Sequence, residues 1–539
     1  MSPKRATVKL YDTTLRDGMQ GFGLQLSIEQ KLKVARRLDE LGFDYIEAGW
    51  PGANPRDTAV FQRLAKAPLR QAKLAAFGST CRPGVEAQAD PGLALTLGSG
   101  APVVTVVGKS SRWQVEAVLG ISAEENLRMV EDTVAYAASQ GREVIFDAEH
   151  FFDGRDQDEG YTLAVAETAA RAGASWVVLC DTNGGQLPSA VGRATESVRE
   201  RIGVPLGVHC HNDAGVAVAN SLAAVEAGVT MVQGTLNGSG ERCGNADLLV
   251  IAANLQLKLG RPVLGPQQLQ ELVGVSRLFD ALLNRTPDPQ RPYVGPAAFV
   301  HKGGLHAQAV ARDERAYQHI DPALVGNEAR TVVSDQSGRS NVASKLRELG
   351  LEGLDRDARG SIVERLKQLE TAGWAFEDAD ASFELLVTRG TPGDLAPFAL
   401  QESLVVAHET SAPRAAEPSQ NVQASVKVLV AGTVVHTAAE AAGPVEALDT
   451  ALRRALAPHF PGLASVQLVD YRVRVIDGDH GTGATVRVGI DSSDGERVWT
   501  TVGCSANILQ ASALALVDSY EWAARHAASL ACLSPTASK

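Results

Sequence analysis

The chain has 539 residues, 45% apolar and 21% charged, with a formal charge of −12. That length exceeds what one hydrophobic core serves, so two or three domains are expected. The acidic balance, with no Lys/Arg cluster against it, excludes nucleic acid as a bulk partner.

The six cysteines show no CxxC pair and no disulfide-like spacing, and read as reduced thiols. No signal-peptide core precedes the first strand and no apolar run is long enough to span a membrane, so a cytoplasmic protein is expected.

Up to about residue 260, strand-like runs alternate with helical patterns. The runs are 8–15, 44–49, 74–79, 102–108, 143–150, 176–183, 205–212 and 230–238. Each is followed by an Ala/Leu/Glu/Arg-rich segment. Eight such units predict a closed parallel (β/α)8 TIM barrel rather than an open sheet. The first helix, 28–41, carries Leu32, Ala35, Leu38 and Leu41 on one face, with Ser27 as N-cap and Gly42 as stop. Segments 121–140 and 158–173 read likewise.

Polar residues gather where the strands end: Arg16 and Asp17, Glu149, Asp181 and Thr182, His209 and His211, and Asn237. In a barrel of this type that end holds the active site. Solvated loop residues are charged too, but five strand ends carrying such groups together is hard to attribute to chance.

The rhythm breaks after about residue 260. Residues 286–410 read as linker and lid subdomains over the barrel mouth. They contain Phe299–Ala307 with two histidines, a segment around Tyr317, and a small helical region over 342–405. The Ala-, Pro-, Ser- and Glu-rich stretch 411–423 reads as an interdomain hinge. From 424 to 539 the pattern is β-β-α then β-β-β-α, an α+β domain suited to regulation or dimerisation rather than catalysis. The barrel domain itself is assigned to 1–285.

Strand side chains alternate, so His209 and His211 point to one side. With Asp17 they make a one-carboxylate, two-imidazole set suited to a divalent metal with open positions, such as Mg²⁺, Mn²⁺, Zn²⁺ or Co²⁺. A metal of this kind can chelate an α-keto acid and make its keto carbon electrophilic. Arg16 would donate to the developing oxyanion. Thr182 would hold the substrate carboxylate, and Glu149 would orient substrate or a metal-bound water. If the attacking partner is a thioester enolate, a base must take a methyl proton. His301 and His306 both offer themselves, with Tyr317 nearby. Cys210 reads as packing, and Cys243 as a thiol in a Gly-rich loop more than a nucleophile or base.

Three motifs bring a resemblance. Leu15-Arg16-Asp17-Gly18-Met19-Gln20, Leu206-Gly207-Val208-His209-Cys210-His211-Asn212-Asp213 and Gly240-Glu241-Arg242-Cys243-Gly244-Asn245 occur in the order found in the α-isopropylmalate/homocitrate synthase family, which this chain resembles over essentially its whole length. The resemblance implies that Arg16 is catalytic and that Asp17, His209 and His211 bind metal with Asn245 close by. It implies that Glu149 and Thr182 contact substrate, and that His306 and Tyr317 form the base region. Met19, Trp50-Pro51 and 333–341 are similar to the pyruvate-using branch. That branch implies acetyl-CoA, pyruvate and water as substrates in a route to isoleucine. It also implies feedback inhibition by isoleucine and a homodimer in which one chain's lid serves the other's barrel. The alternative within the family is 2-oxoisovalerate as keto acid. Asn507 stands where the family's terminal allosteric domain usually has Asp.

Overall fold

A computed structural model of the chain describes residues 7–531, apart from 303–305, 307, 308, 311, 335–338, 352, 353, 392 and 408–421. The described residues fall into two compact units. One holds the chain to Phe299 together with His319–Ala329, and the other holds Val300–Gln318 and the chain from Arg330.

The first unit is the expected barrel. Its strands are β1 (Lys9–Asp12), β2 (Tyr45–Glu47), β3 (Lys73–Ser79), β4 (Val103–Lys109), β5 (Glu143–Glu149), β6 (Trp176–Asp181), β7 (Leu206–Cys210) and β8 (Met231–Gly234). All are parallel, and β8 pairs back onto β1 with Tyr11 beside Gln233, so no edge is left open. Helices cover the outside. The first, α1 (Ile28–Leu41), begins with a full capping box: Ser27 Oγ accepts from Gln30 N–H, and Gln30 Oε1 accepts from Ser27 N–H. It stops at Gly42, whose φ of 93° lies in the left-handed region that a side chain would resist. The segment predicted at 158–173 begins earlier, at Phe151, and is broken at Asp158, where the backbone leaves helical angles.

The barrel interior explains where the site lies. Tyr11, Tyr45, Ile145, Val178 and Met231 plug its centre. Two residues on, toward the C-terminal ends, the same inward faces carry Thr13, Glu47, Asp147, Cys180 and Gln233. Two further on come Glu149 and Thr182. The alternation that fills the core with apolar groups therefore delivers a polar layer above it. Asn237 does not join this layer. β8 ends at Gly234, and Asn237 turns to exchange hydrogen bonds with Ser276.

The second unit contains three helices, Arg339–Glu348, Arg356–Thr371 and Asp380–Arg389, packed around Val342, Leu366 and Phe383. Two similar β-β-β-α repeats follow. The sequence reading leaves one strand out. Phe398–Ala407, placed there in the helical region, is a strand paired antiparallel with Val422–Val430 along its whole length. The first repeat thus has three strands and the helix Pro444–Leu456, matching Gln467–Val475, Val486–Ser493, Val498–Ser505 and Ile508–Ala531 of the second. As a result the stretch read as a hinge, 411–423, joins neighbouring strands of one sheet rather than two domains. Its residues to 421 lie outside the described ones.

Candidate metal and active site

The barrel brings the predicted donors together. Asp17 follows β1, His209 lies on β7 and His211 follows it. Asp17 Oδ2 is 3.2 Å from His209 Nε2 and 3.5 Å from His211 Nε2. One donor atom from each lies within 4.8 Å of the others, the sole such group among the described residues. Both Nδ1 atoms face oxygen acceptors: His209 Nδ1 donates to Gln233 Oε1 at 2.8 Å and His211 Nδ1 to the Thr182 carbonyl at 2.8 Å. A proton on each Nδ1 leaves the Nε2 lone pair aimed at Asp17, the state a metal ligand needs.

Asn245 completes the picture. Its backbone bridges to His211, its Nδ2 donates to the Ser239 carbonyl at 3.1 Å, and its Oδ1 is buried without a hydrogen-bond partner. A buried orphan oxygen on a residue whose backbone pairs with His211 fits a divalent cation. Burial opposes the ionisation of Asp17, but Arg16, His209 and His211 outweigh it and hold the carboxyl well below its usual range.

Arg16 is fixed from several sides. Its Nε donates to Glu47 Oε1 at 2.6 Å, its guanidinium carbon lies 3.7 Å over the Phe77 ring, and its Nη1 is 3.7 Å from Asp17 Oδ2. Glu47 is fully buried and also accepts from Tyr11 OH and Thr13 Oγ1, each at 2.6 Å. Burial works against the guanidinium charge, and Glu47 and Asp17 more than restore it. Lys31, whose Nζ donates to the Leu15 carbonyl at 2.7 Å and pairs with Asp57 at 2.5 Å, pins the backbone just before Arg16.

A cavity of about 360 Å³ opens here, lined by Arg16, Asp17, His209 and His211 with Trp50, Phe77, Val107, Glu149 and Thr182. Glu149 lines it as expected, and is paired with Lys109 at 2.7 Å. Thr182 Oγ1 accepts from the His150 N–H at 2.8 Å, which leaves its own O–H free to donate. Arg242 ties the loops together by donating to Asp213 and to the Thr182 carbonyl. Cys210 is fully buried and Cys243 exposed. The base candidates belong to the second unit. There the His306 and Tyr317 rings lie 4.3 Å apart, and those of His301 and Tyr317 6.4 Å apart. Burial lowers the pKa of His301, as does neighbouring His306.

Comparison with known proteins gives the site its setting. Residues 7–278 match a family model described as HMGL-like, 293–373 one described as homocitrate synthase post-HMGL domain-like, and 378–523 the LeuA allosteric (dimerisation) domain. The chain is 49% identical over 537 residues to the (R)-citramalate synthase of Synechocystis sp., covering 97% of each chain. The chain belongs to the (R)-citramalate synthase family. A second citramalate synthase, from Aquifex aeolicus, is 46% identical and covers 95% of this chain and 97% of its own. A probable 2-isopropylmalate synthase of Methanopyrus kandleri is more distant, at 34% identity with similar coverage.

Glu47, Asp147 and Gln233 are the site residues that sequence reasoning missed. None sits in a motif. The available signal was parity: Asp147 precedes Glu149 by one full strand period, and Gln233 stands beside His209 in the register of β7 and β8.

Proposed function

We propose that this protein condenses acetyl-CoA with pyruvate and water, giving (R)-citramalate and CoA. The observation that carries the reading is the convergence of Asp17, His209, His211 and Arg16 in one small cavity, in a chain 49% identical to a citramalate synthase throughout. Asp17, His209, His211 and Asn245 would hold a divalent ion, Mg²⁺ or Mn²⁺ in this reading. When bound it supplies Lewis acidity toward a keto acid.

The chain's own groups do the rest. Thr182 donates its free hydroxyl to the pyruvate carboxylate. Arg16, preset by Glu47 and Phe77, donates to the keto oxygen as negative charge builds there. Glu149 orients the substrate. His306, with the Tyr317 hydroxyl beside it to share the transfer, takes the methyl proton of the acetyl thioester, whose carbanion attacks the keto carbon. Water then cleaves the thioester, and the CoA sulfur leaves as thiol. Trp50, Phe77 and Val107 line the cavity, and in this reading they face the methyl group of pyruvate. The Trp50 and Phe77 rings meet edge-on with centroids 5.2 Å apart.

Isoleucine as feedback inhibitor and a homodimer belong to the same reading, supported by the match of 378–523 to an allosteric dimerisation domain. The deciding experiment is keto-acid competition, following thiol release from acetyl-CoA. Preference for pyruvate is expected. Clear preference for 2-oxoisovalerate would sink the proposal.

A further inference from the structure

On its Nδ1 side, away from Asp17, His209 meets neither a carboxylate nor a backbone carbonyl, the usual partners of a ligand imidazole. It is held by a carboxamide. His209 Nδ1 donates to Gln233 Oε1 at 2.8 Å, and Gln233 Nε2 donates to Asp147 Oδ1 at 2.9 Å. All three are buried, Gln233 fully, His209 at 4% and Asp147 at 3% exposure. They come from three strands: β7 and β8 are neighbours, and β5 reaches Gln233 across the barrel interior.

A carboxamide alone does not choose a histidine tautomer. Turned one way its oxygen faces the ring and demands an N–H; turned the other its NH₂ faces the ring and demands a lone pair. In the second case the ring proton would sit on Nε2 and block coordination. Asp147 breaks this symmetry. As a carboxylate it only accepts, so the amide NH₂ faces it and the amide oxygen faces His209.

We propose that Asp147 and Gln233 form a positioning relay that fixes His209 in the metal-binding tautomer. Asp147 acts two hydrogen bonds from the metal position without being a ligand itself. His211 needs no such device, because the Thr182 carbonyl is an acceptor only.

The inference rests on the metal reading above, and Mn²⁺ affinity, measured by calorimetry on the full chain without substrate, separates the two. His209→Ala is the control for the metal reading: it should abolish binding, and normal binding there would overturn that reading and the relay with it. Gln233→Met keeps the shape and removes the acceptor, and should weaken Mn²⁺ binding by about 10–100-fold. Asp147→Leu should do the same, and Asp147→Asn should weaken binding too, since a second carboxamide can turn to donate as well as accept and no longer breaks the symmetry. The double variant Gln233→Met/Asp147→Leu should bind no more weakly than Gln233→Met alone, since the second residue acts through the first. Wild-type affinity in Gln233→Met, or losses that add in the double variant, would overturn the relay. Should Asp147→Leu unfold, Gln233→Met and Asp147→Asn decide the matter alone.

Discussion

Arg16 shows what a single side chain needs in order to act on a developing charge. Its Nε is committed to Glu47 and its flat face to Phe77, so the two terminal nitrogens are left with one direction to point. Lysine would keep the charge and lose both constraints, because an ammonium has no Nε fork and no planar face. Arg16→Lys is therefore expected to cut kcat by about 10²–10³, the usual cost of one oxyanion donor, with folding preserved. Thiol release from acetyl-CoA at saturating pyruvate measures it, and a variant within a few-fold of wild type would show that charge alone suffices. The same contacts show why Glu47 was invisible in the sequence. It lies inside an ordinary strand run, and only closure of the barrel brings Tyr11, Thr13 and Arg16 around it. The donors were legible for the opposite reason. His209 and His211 are two apart, on β7 and just past its end, so the alternation that gives them a common direction is already written in the sequence.

At the scale of elements, caps and parity decide what can be read. The helix Pro91–Gly98 is started by Asp90, whose Oδ1 accepts from Gly92 and Leu93 N–H at 2.8 and 3.0 Å and whose Oδ2 accepts from Arg82. Burial would raise its pKa, yet these donors together lower it. A carboxyl depressed in the folded state stabilises above its unfolded pKa, about 3.9, and loses that contribution as pH falls through the folded value. Asp90→Ala should cost about 1 kcal/mol near neutrality, and the gap from wild type should shrink below about pH 4. Urea midpoints at the two pH values test this; a constant gap would mean the charge plays no part. Caps of this kind, like Ser27, are readable because they are local. Phe398–Ala407 was not readable, because a register shift between Leu400 and Glu402 breaks its alternation and most of its residues are exposed. Without a period of two, its ten residues lacked the one pattern that marks a strand.

For the whole molecule, the missed strand moves a boundary. A chain ending at 420 keeps Phe398–Ala407 but removes Val422–Val430, its partner over the whole length. That leaves an open edge with Leu404 and Val406 exposed beside it. A chain ending at 395 lacks the strand altogether. The longer truncation should therefore self-associate more than the shorter one, as read by light scattering at equal concentration. Equal behaviour would show that the strand is harmless unpaired. The barrel poses no such problem, since closure leaves its eight strands without an edge. The barrel was also the part most fully legible, because eight repeats of one pattern reinforce each other. The second unit offers two repeats, and one was incomplete as read.

The hydrogen bonds that hold His209 and His211 from behind have a practical consequence. Gln233 and the Thr182 carbonyl grip the rings through protein contacts, which are expected to persist when an ion is removed. Stripping with a chelator should leave far-UV circular dichroism unchanged, and adding Mn²⁺ back should restore turnover within the mixing time. Recovery that is slow, or that needs a denaturation and refolding cycle, would contradict this. Two preparations of equal purity and fold can then differ widely in specific activity, according to which buffers and affinity resins each has passed through.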